Sequence, residues 1–460
     1  MIESNIRQAG AYMKDMTKGN PVKLILAFAI PVLLGNVFQQ FYTMADTMMV
    51  GRILGVSSLA AMGASTSLAN LVIGFASGIA MGSSIMIAQY YGAKDEEGMQ
   101  HACAGCVRIC VISAIMMTII ALVIKRPCLK LLQTPGSILA MADQYLLILY
   151  GGLFITMLYN MFASMLRAIG DSKTPLYFLI IASITNVLLD YVFIAVFSWG
   201  IAGAGIATVI AQALSVVLCF LYIRKKYPMF IVKRQDFHVE KAIYKRQISM
   251  GISMGLMNSI VSLGTVILQS AVNALGETVI AAQTAARKIV EMFMQPLISI
   301  AIADTTFVSQ NLGAQQYQRI REGMKKSIFI SFVWVMIVIL ISYTCIDVFI
   351  SLLVDASQRE VISLSAFYTR VMSLFYFVLA VLFIYRNGLQ GLGNGKIPIV
   401  SSTIEMITKT IATFLLIPYT GYLGVALAEP IAWCLMAPVL CYSFYKDIKT
   451  KEIVLSKFDE

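Results

Sequence analysis

The sequence predicts an all-α integral membrane protein of about 12 transmembrane helices, in two six-helix lobes related by pseudo-two-fold symmetry along the membrane normal. Three observations predict this fold class: a very apolar composition, about twelve apolar stretches of spanning length, and an internal repeat. The chain has 460 residues, of which 59% are hydrophobic and 13% are charged, and its mean hydropathy is +0.80. Such a composition excludes an ordinary soluble domain.

Apolar stretches long enough to cross a bilayer as helices, about 20 residues each, recur from Pro21 to Tyr445 with short polar connectors between them. None alternates in the manner of β-barrel strands. The first stretch is too long for the apolar region of a signal peptide, so we expect it to remain as the first span. The predicted span centres are Asn36, Ile73, Ile115, Leu149, Thr185, Gln212, Ser259, Phe293, Val335, Leu374, Ile407 and Leu435.

The positive charge is distributed unevenly along the chain, whose formal net charge is +11. If both termini and the even-numbered links share one side, that side collects roughly 26 Lys and Arg against roughly 5 on the other, as expected of cytoplasmic loops. We therefore expect a multi-pass protein of the cell (plasma) membrane, with both termini cytoplasmic and no nucleic-acid partner. The link between spans 6 and 7 contains Arg224, Lys225, Lys226, Lys233, Arg234, Lys241, Lys245 and Arg246.

The eight cysteines predict no external disulfide, because only Cys128 falls in an outer loop and the others lie in or beside spans. Cys103 and Cys106 form one C-x-x-C pair, but no second pair follows. Small apolar filler is a better interpretation of this pair than a metal site.

An internal repeat relates the two halves of the chain. The segment GVSSLAAMGAS from Gly55 resembles GETVIAAQTAA from Gly276, and GDSKTP from Gly170 resembles GNGKIP from Gly393. Each half has an even number of spans, so both halves enter the membrane in the same direction. We predict an N-lobe over residues 1–235, with spans 1–6 and a basic cytoplasmic linker, and a C-lobe over residues 236–460, with spans 7–12. Parallel repeats of this kind are typical of transporters, although channels and receptors also arise by duplication.

Several ionisable residues fall inside predicted spans, where each costs about 2.5 kcal/mol or more and is a functional candidate. Glu405 and Lys409 are four residues apart with the acid first, so they can neutralise one another on one helix. Arg287, Lys288 and Glu291 form a similar self-compensating group, although Glu291 could also face a cavity. Asp304 and Glu429 could be solvated or bonded to backbone groups.

Asp46 and Asp190 have no such compensation. In the run ITNVLLDYVFI, Asp190 follows Asn186 by four residues, which places a carboxylate and an amide on one helix face. Asp190 lies roughly 22 Å and Thr208 roughly 18 Å from the inner face, judged by the helical rise and the bilayer thickness. Asp46, near the outer end of span 1, lies above them but within reach if that helix tilts. We therefore expect Asp46, Asn186, Asp190 and Thr208 to converge in the outer half of the first lobe. Their oxygens suit Na⁺, and two adjacent carboxylates also suit a shared proton.

Six segments together resemble the multidrug and toxic compound extrusion (MATE) transporters, bacterial branch, of the multidrug/oligosaccharidyl-lipid/polysaccharide flippase superfamily. Their order and spacing carry the likeness over nearly the whole chain. The segments are IPVLLGNVFQQFYTMADTMMVGRILG, IAQYYGA, RAIGDSKTP, NVLLDYVFI, GIAGAGIATVIAQ and RNGLQGLGNGKIP.

The resemblance implies a secondary active antiporter, not an enzyme, that exports organic cations and drugs in exchange for H⁺ or Na⁺ and contributes to antibiotic resistance. Two lobes would surround a V-shaped cavity in a monomer, in the cell inner membrane, with no cofactor besides the coupling ion. In the branch with an N-lobe ion site, the matching residues here are Asp46, Asn186, Asp190 and Thr208. Another branch has an acid in span 7, but span 7 here contains none, which puts a C-lobe ion site of that type in doubt.

Polar residues of span 1 are weaker candidates for the wall of a substrate cavity. Their helical spacing places them on one side, where substrate binding and hydrogen bonding between helices are both open interpretations. Abundant Met, Phe and Tyr would suit lipophilic cations through sulfur and ring contacts. The candidates are Asn36, Gln39, Gln40, Thr43, Met257 and Glu291.

Three rival functions remain beside drug export. A flippase for a lipid-linked or amphipathic metabolite should have a strongly basic cavity, but few cations other than Arg370 and Lys409 lie deep in the predicted spans. A membrane sensor or scaffold should append a soluble domain. An ATP-driven pump should contain a G-x-x-x-x-G-K-[ST] loop, which this sequence lacks.

Overall fold

The computed structural model describes residues 15–237, 240–355 and 357–456, and within these ranges the chain is helical without any β-strand. Short 3₁₀ turns occupy part of the basic link. The helices are α1 (Pro21–Met49), α2 (Val56–Ala93), α3 (Glu96–Leu131), α4 (Gly136–Gly151), α5 (Leu153–Ala168), α6 (Lys173–Asp190), α7 (Ile201–Lys226), α8 (Lys241–Ala274), α9 (Glu277–Gly313), α10 (Tyr317–Thr344), α11 (Ile346–Ser351), α12 (Arg359–Leu374), α13 (Tyr376–Gly391), α14 (Lys396–Ile411), α15 (Ile417–Thr420) and α16 (Tyr422–Ser456).

The predicted number of membrane spans is confirmed. In the described part of the chain, ten helical segments are long and apolar enough to cross a membrane. Two bent pairs complete the twelve: α4 and α5 meet at 45°, and α12 and α13 meet at 55°. Every predicted span centre lies in one of these segments.

Three of the helices end in π-helical stretches, in which the backbone hydrogen bonds skip one extra residue. α1 continues as Val50–Leu54, α6 as Tyr191–Val196 and α14 as Ala412–Leu416. Stretches of this kind are often found at functional sites. The one after α6 begins directly after Asp190.

The chain packs into two compact units. Of the described residues, unit 1 contains Asp15 and Pro31–Ser259, and unit 2 contains Met16–Ile30 and the residues from Ile260 onward. Packing thus groups the first half of α8 with unit 1 and the start of α1 with unit 2. The predicted lobe boundary between residues 235 and 236 lies in the basic link and stays a prediction. The cytoplasmic location of the termini also stays a prediction, and residues 1–14 and 457–460 lie outside the described part.

Glycines bring α2 and α8 into backbone contact within unit 1. A Cβ atom on Gly78 would lie 2.4 Å from the backbone nitrogen of Gly255, and one on Gly82 would lie 2.4 Å from the carbonyl oxygen of Met250. Gly78 and Gly82 on α2, and Gly251 and Gly255 on α8, each form the small-x-x-x-small pattern that membrane helices use for close approach. This contact explains why the start of α8 packs with unit 1.

The core of unit 1 between α2, α3 and α5 is rich in sulfur-containing side chains. All eight cysteines are free. Cys103 and Cys106 of α3 are fully buried, as predicted for apolar filler, and so is Cys110 one turn further on. Their neighbours in this core are Met157, Met161 and Met165 of α5. Flexible thioethers suit the irregular space at such a helix junction.

Candidate ion-binding site

Two buried carboxyl groups meet in unit 1. Asp46 near the end of α1 is 4% exposed and Asp190 at the end of α6 is fully buried. The two carboxyl groups lie close enough for one to donate a hydrogen bond to the other when it carries a proton. Such a contact between two carboxylates is repulsive unless a proton or another cation lies between them.

The amide and hydroxyl predicted to accompany them are also adjacent. Asn186 is 2% exposed, and its Nδ2 lies 3.5 Å from Oγ1 of Thr208 on α7. The Thr208 hydroxyl donates to the carbonyl oxygen of Ala204 at 3.1 Å, which leaves its lone pairs to accept from the Asn186 amide. Because Asn186 precedes Asp190 by one helical turn, the amide and the carboxyl group share one face of α6.

Four buried oxygens of this group accept no hydrogen bond from any described residue: Oδ1 of Asp46, Oδ1 of Asn186, and both carboxyl oxygens of Asp190. Buried polar atoms without partners are costly, so such a cluster favours a bound proton or cation. Carboxylate, amide and hydroxyl oxygens are hard ligands of the kind that alkali cations prefer. No three His, Cys, Asp or Glu residues that could hold a metal converge in the described ranges, so a cation here would depend on the amide and hydroxyl oxygens.

Two tyrosines that the sequence analysis did not single out lie beside the carboxyl pair. Tyr42 precedes Asp46 by one turn of α1, and Tyr145 of α4 is buried nearby. Both phenols lie within electrostatic reach of Asp46 and Asp190. The four-residue spacing from Asp46 was a signal for Tyr42, whereas nothing in the sequence pointed to Tyr145.

The predicted cavity-wall residues differ in how far their side chains are exposed. Gln39, Gln40, Thr43 and Glu291 are exposed, and Asn36 and Met257 are half-buried. The hydroxyl of Thr43 donates to the carbonyl oxygen of Gln39 at 2.9 Å, so it is engaged by its own helix. Binding of substrate by these residues stays a prediction.

Four charged residues of unit 2 form a buried network on α13, α14 and α16. As predicted, Lys409 pairs with Glu405, at 3.1 Å, and it also contacts Glu429 at 3.0 Å. Arg386 contacts Glu405 at 3.0 Å and the hydroxyl of Ser401 at 2.7 Å. The alternatives considered for Glu429, solvation or a backbone bond, were therefore wrong, since Glu429 is buried against an ammonium group.

Two other expectations about charge need correction. Arg287 was expected to be neutralised by Glu291 of the same helix, but its ion-pair partner is Glu429, at 4.0 Å. Lys288 and Glu291 are exposed. Arg386 was missed as a deep cation, although it is 5% exposed. Its position at the end of an apolar run concealed its burial, because the partners that hold it come from α14.

Asp304 of α9 is a third buried carboxyl group, in unit 2. It is fully buried, and its Oδ1 accepts a hydrogen bond from the Ser327 hydroxyl at 2.5 Å. Its other oxygen has no hydrogen-bond donor among the described residues. The expectation that Asp304 could be solvated was wrong, because neighbouring helices cover it.

A protein-family model described as MatE matches residues 31–192 and again residues 254–415, together more than half of the chain. The chain belongs to the MatE family. The two matches have equal length and correspond to the two halves of the repeat, so the family unit occurs twice in this MatE protein. Because the family is one of membrane transporters, the chain is a multi-pass membrane transporter.

Individual relatives of the MatE chain agree with this family. It is 29% identical over 307 residues to the probable multidrug resistance protein YpnP of Bacillus subtilis, covering 66% of this chain and 68% of that protein. It is 22% identical over 426 residues to the probable multidrug resistance protein NorM of Thermotoga maritima, covering 87% of each.

A solved structure supports the fold. The outward-facing conformation of a multidrug resistance MATE family transporter of the MOP superfamily superposes with a TM-score of 0.88 at 22% identity, covering 95% of this chain and 98% of that chain. At this identity the likeness concerns the fold, and the predicted fold class and family resemblance are confirmed.

Proposed function

We propose that this MatE transporter exports lipophilic organic cations and drugs in exchange for H⁺ or Na⁺, and that Asp46, Asn186, Asp190 and Thr208 bind the coupling ion. The observation that carries the proposal is the direct approach of two buried carboxyl groups, three of whose four oxygens lack donors among the described residues. A cation between them offsets their repulsion, and its loss restores that repulsion.

The position of the two carboxyl groups explains how an ion could act on the fold. Asp46 belongs to α1 and Asp190 to α6, so a bound ion draws two different helices together and its release lets them separate. An ion shifts a conformational equilibrium only by its difference in affinity for the two states. Typical coupling of this kind changes the affinity for a second ligand by about 5–150-fold.

Transport into or out of proteoliposomes tests the proposal. A fluorescent lipophilic cation such as ethidium is followed for the wild type under a pH gradient and, separately, under a Na⁺ gradient. We expect one gradient to drive transport, which names the ion. Asp190→Asn keeps the shape but loses the charge, and we expect it to lower gradient-driven transport by about tenfold or more, within the usual range of ion coupling.

Asp347→Asn is the matched control for this experiment. It makes the same chemical change at an exposed aspartate, which pairs with Arg370 at 2.8 Å, and we expect near wild-type transport. Wild-type transport by Asp190→Asn would contradict the assignment of the ion site. Amounts of both variants in the membrane are compared first, so that a loss of insertion is not taken for a loss of coupling.

The second candidate function is export of a lipid-linked or amphipathic anionic metabolite. Arg386 and Lys409, both buried in unit 2, are the observation in its favour. Each contacts a carboxylate of its own unit, however, at about the same 3.0 Å distance, which offsets their attraction for an anion. Absence of gradient-dependent movement for every organic cation tried, together with transport of an anionic amphiphile, would favour this function over drug export.

A further inference from the structure

A basic pocket lies between α3 and α8 of unit 1, away from the ion site. It has a volume of about 380 Å³ and is lined by Arg108, Lys241, Tyr244, Lys245 and Ile248. Three of these described lining residues carry positive charge and none is a carboxylate. The guanidinium of Arg108 lies 5.4 Å from the centre of the Tyr244 ring, a cation–π contact that orients the arginine.

The pocket lies where the apolar part of both helices begins. After Arg108, residues 109–124 of α3 contain no charged side chain, a length of about 24 Å along the helix. After Arg246, α8 likewise contains no charged residue up to Ala274. We therefore expect Arg108 and Lys245 to lie at the level where a bilayer changes from headgroups to hydrocarbon, on the side predicted to be cytoplasmic.

Exposed apolar side chains continue from the pocket along both helices. On α3 they begin one turn after Arg108, and on α8 one turn after Ile248. The α3 set is Ile112, Ile115, Met116 and Ile119, each at least half exposed, and the α8 set is Ile252 and Leu256. A ligand held by the cations thus has apolar surface beside it in the direction of the membrane interior.

We propose that this pocket binds the phosphate-bearing headgroup of an anionic phospholipid of the cytoplasmic leaflet. Guanidinium, ammonium and phenol groups are the donors that bind phosphate oxygens, and basic pockets between membrane helices on this side bind anionic headgroups. Free phosphate has the same chemistry at the pocket, but it makes no use of the apolar surface next to it. The lipid joins α3 to the first turns of α8, directly after the basic link.

Binding to the purified full chain tests this proposal without any transport assay. Native mass spectrometry after delipidation counts retained molecules of dioleoylphosphatidylglycerol and of dioleoylphosphatidylcholine. We expect preferential retention of the anionic lipid by the wild type, and about tenfold or greater weakening in Arg108→Gln/Lys245→Gln, because each interfacial cation contributes appreciably to anionic-lipid binding. The single variant Lys245→Gln, at an exposed residue, should show a smaller loss and covers the case in which the double variant does not fold.

The control variant Lys325→Gln/Lys326→Gln removes two exposed lysines near the start of α10, at the same predicted side of the membrane. We expect it to retain the anionic lipid as the wild type does. Equal loss in both double variants would overturn the proposal, since general surface charge would then attract the lipid. Equal retention of both lipids by the wild type would also overturn it. So would displacement of the lipid by millimolar sodium phosphate, which would identify free phosphate as the ligand.

Discussion

Removing the buried ammonium group of unit 2 by Lys409→Met is expected to destabilise the protein strongly. The Lys409 side chain is 2% exposed and lies between two carboxylates, Glu405 at 3.1 Å and Glu429 at 3.0 Å. Methionine fills a similar volume, so the substitution tests charge and leaves packing largely unchanged.

The expected loss of stability follows from the counter-ions that remain near Glu405 and Glu429 after the substitution. Glu405 retains Arg386 at 3.0 Å, whereas the remaining ion-pair partner of Glu429 in the described part of the chain is Arg287, at 4.0 Å. One buried carboxylate therefore loses its close counter-ion, which typically costs about 3–5 kcal/mol. At about 2–4 °C per kcal/mol for a unit of this size, the unfolding temperature should fall by roughly 6–20 °C.

The assay is thermal unfolding of the detergent-purified variants, followed by loss of monodisperse protein on heating. Lys409→Met/Glu429→Gln removes both charges, and we expect it to recover at least half of the loss. Asp347→Asn is the control, because it breaks the Arg370–Asp347 pair at its exposed member, and such a pair should contribute less than about 1 kcal/mol. An unfolding temperature for Lys409→Met within 1–2 °C of wild type, roughly the effect of a surface pair, would refute this reasoning.

Two further predictions concern helix packing and orientation. Gly82→Ala should lower the free energy of unfolding by about 1–3 kcal/mol, as overpacking does, because the added Cβ would meet the backbone of α8. Gly63→Ala is the control and should not lower it, because no atom lies within 4 Å of the Cβ added there. Equal thermal midpoints for the two variants would contradict the reasoning. A variant that keeps only Cys345, which is exposed at the end of α10, should react with a membrane-impermeant maleimide on whole cells, whereas one that keeps only the buried Cys103 should not. Labelling of Cys345 only after permeabilisation would contradict cytoplasmic termini.

The sequence was sufficient to predict the spans and the part of the candidate ion site that lies on α6. Apolar runs of bilayer length specify where membrane helices lie, because the alternative of unpaired backbone in lipid is excluded. The face shared by Asn186 and Asp190 followed from helical spacing alone. Asp46 entered through an estimate of depth, since its contact with Asp190 joins residues of two helices far apart in sequence.

The helix contacts and the burial of single charges could not be predicted, because they depend on which helices pack together, and no local sequence pattern indicates that. The glycines of α8 that meet α2 are chemically the same as the many glycines that touch nothing, so their role appears only with the partner helix. The burial of Arg386 likewise depends on Glu405 and Ser401 of α14. The bends at Gly152 and Phe375 have no proline at the break, which removes the usual signal for a bent span.

The two halves of the duplicated chain treat one equivalent contact differently. Counted from the Lys-x-Pro that begins both α6 and α14, Asn186 corresponds to Lys409, and counted from the glycine before α7 and α16, Thr208 corresponds to Glu429. Where unit 1 has an amide and a hydroxyl 3.5 Å apart, unit 2 has an ammonium and a carboxylate 3.0 Å apart.

The ammonium of Lys409 is a positive ion attached to the chain by covalent bonds, so neither side of the membrane can exchange it. Unit 2 carries its own permanent counter-ion, whereas the function proposed above has the oxygens of unit 1 take theirs from solution. On that proposal, duplication followed by divergence has produced one half whose charge balance is fixed when the chain folds, and another whose charge balance depends on the surrounding medium.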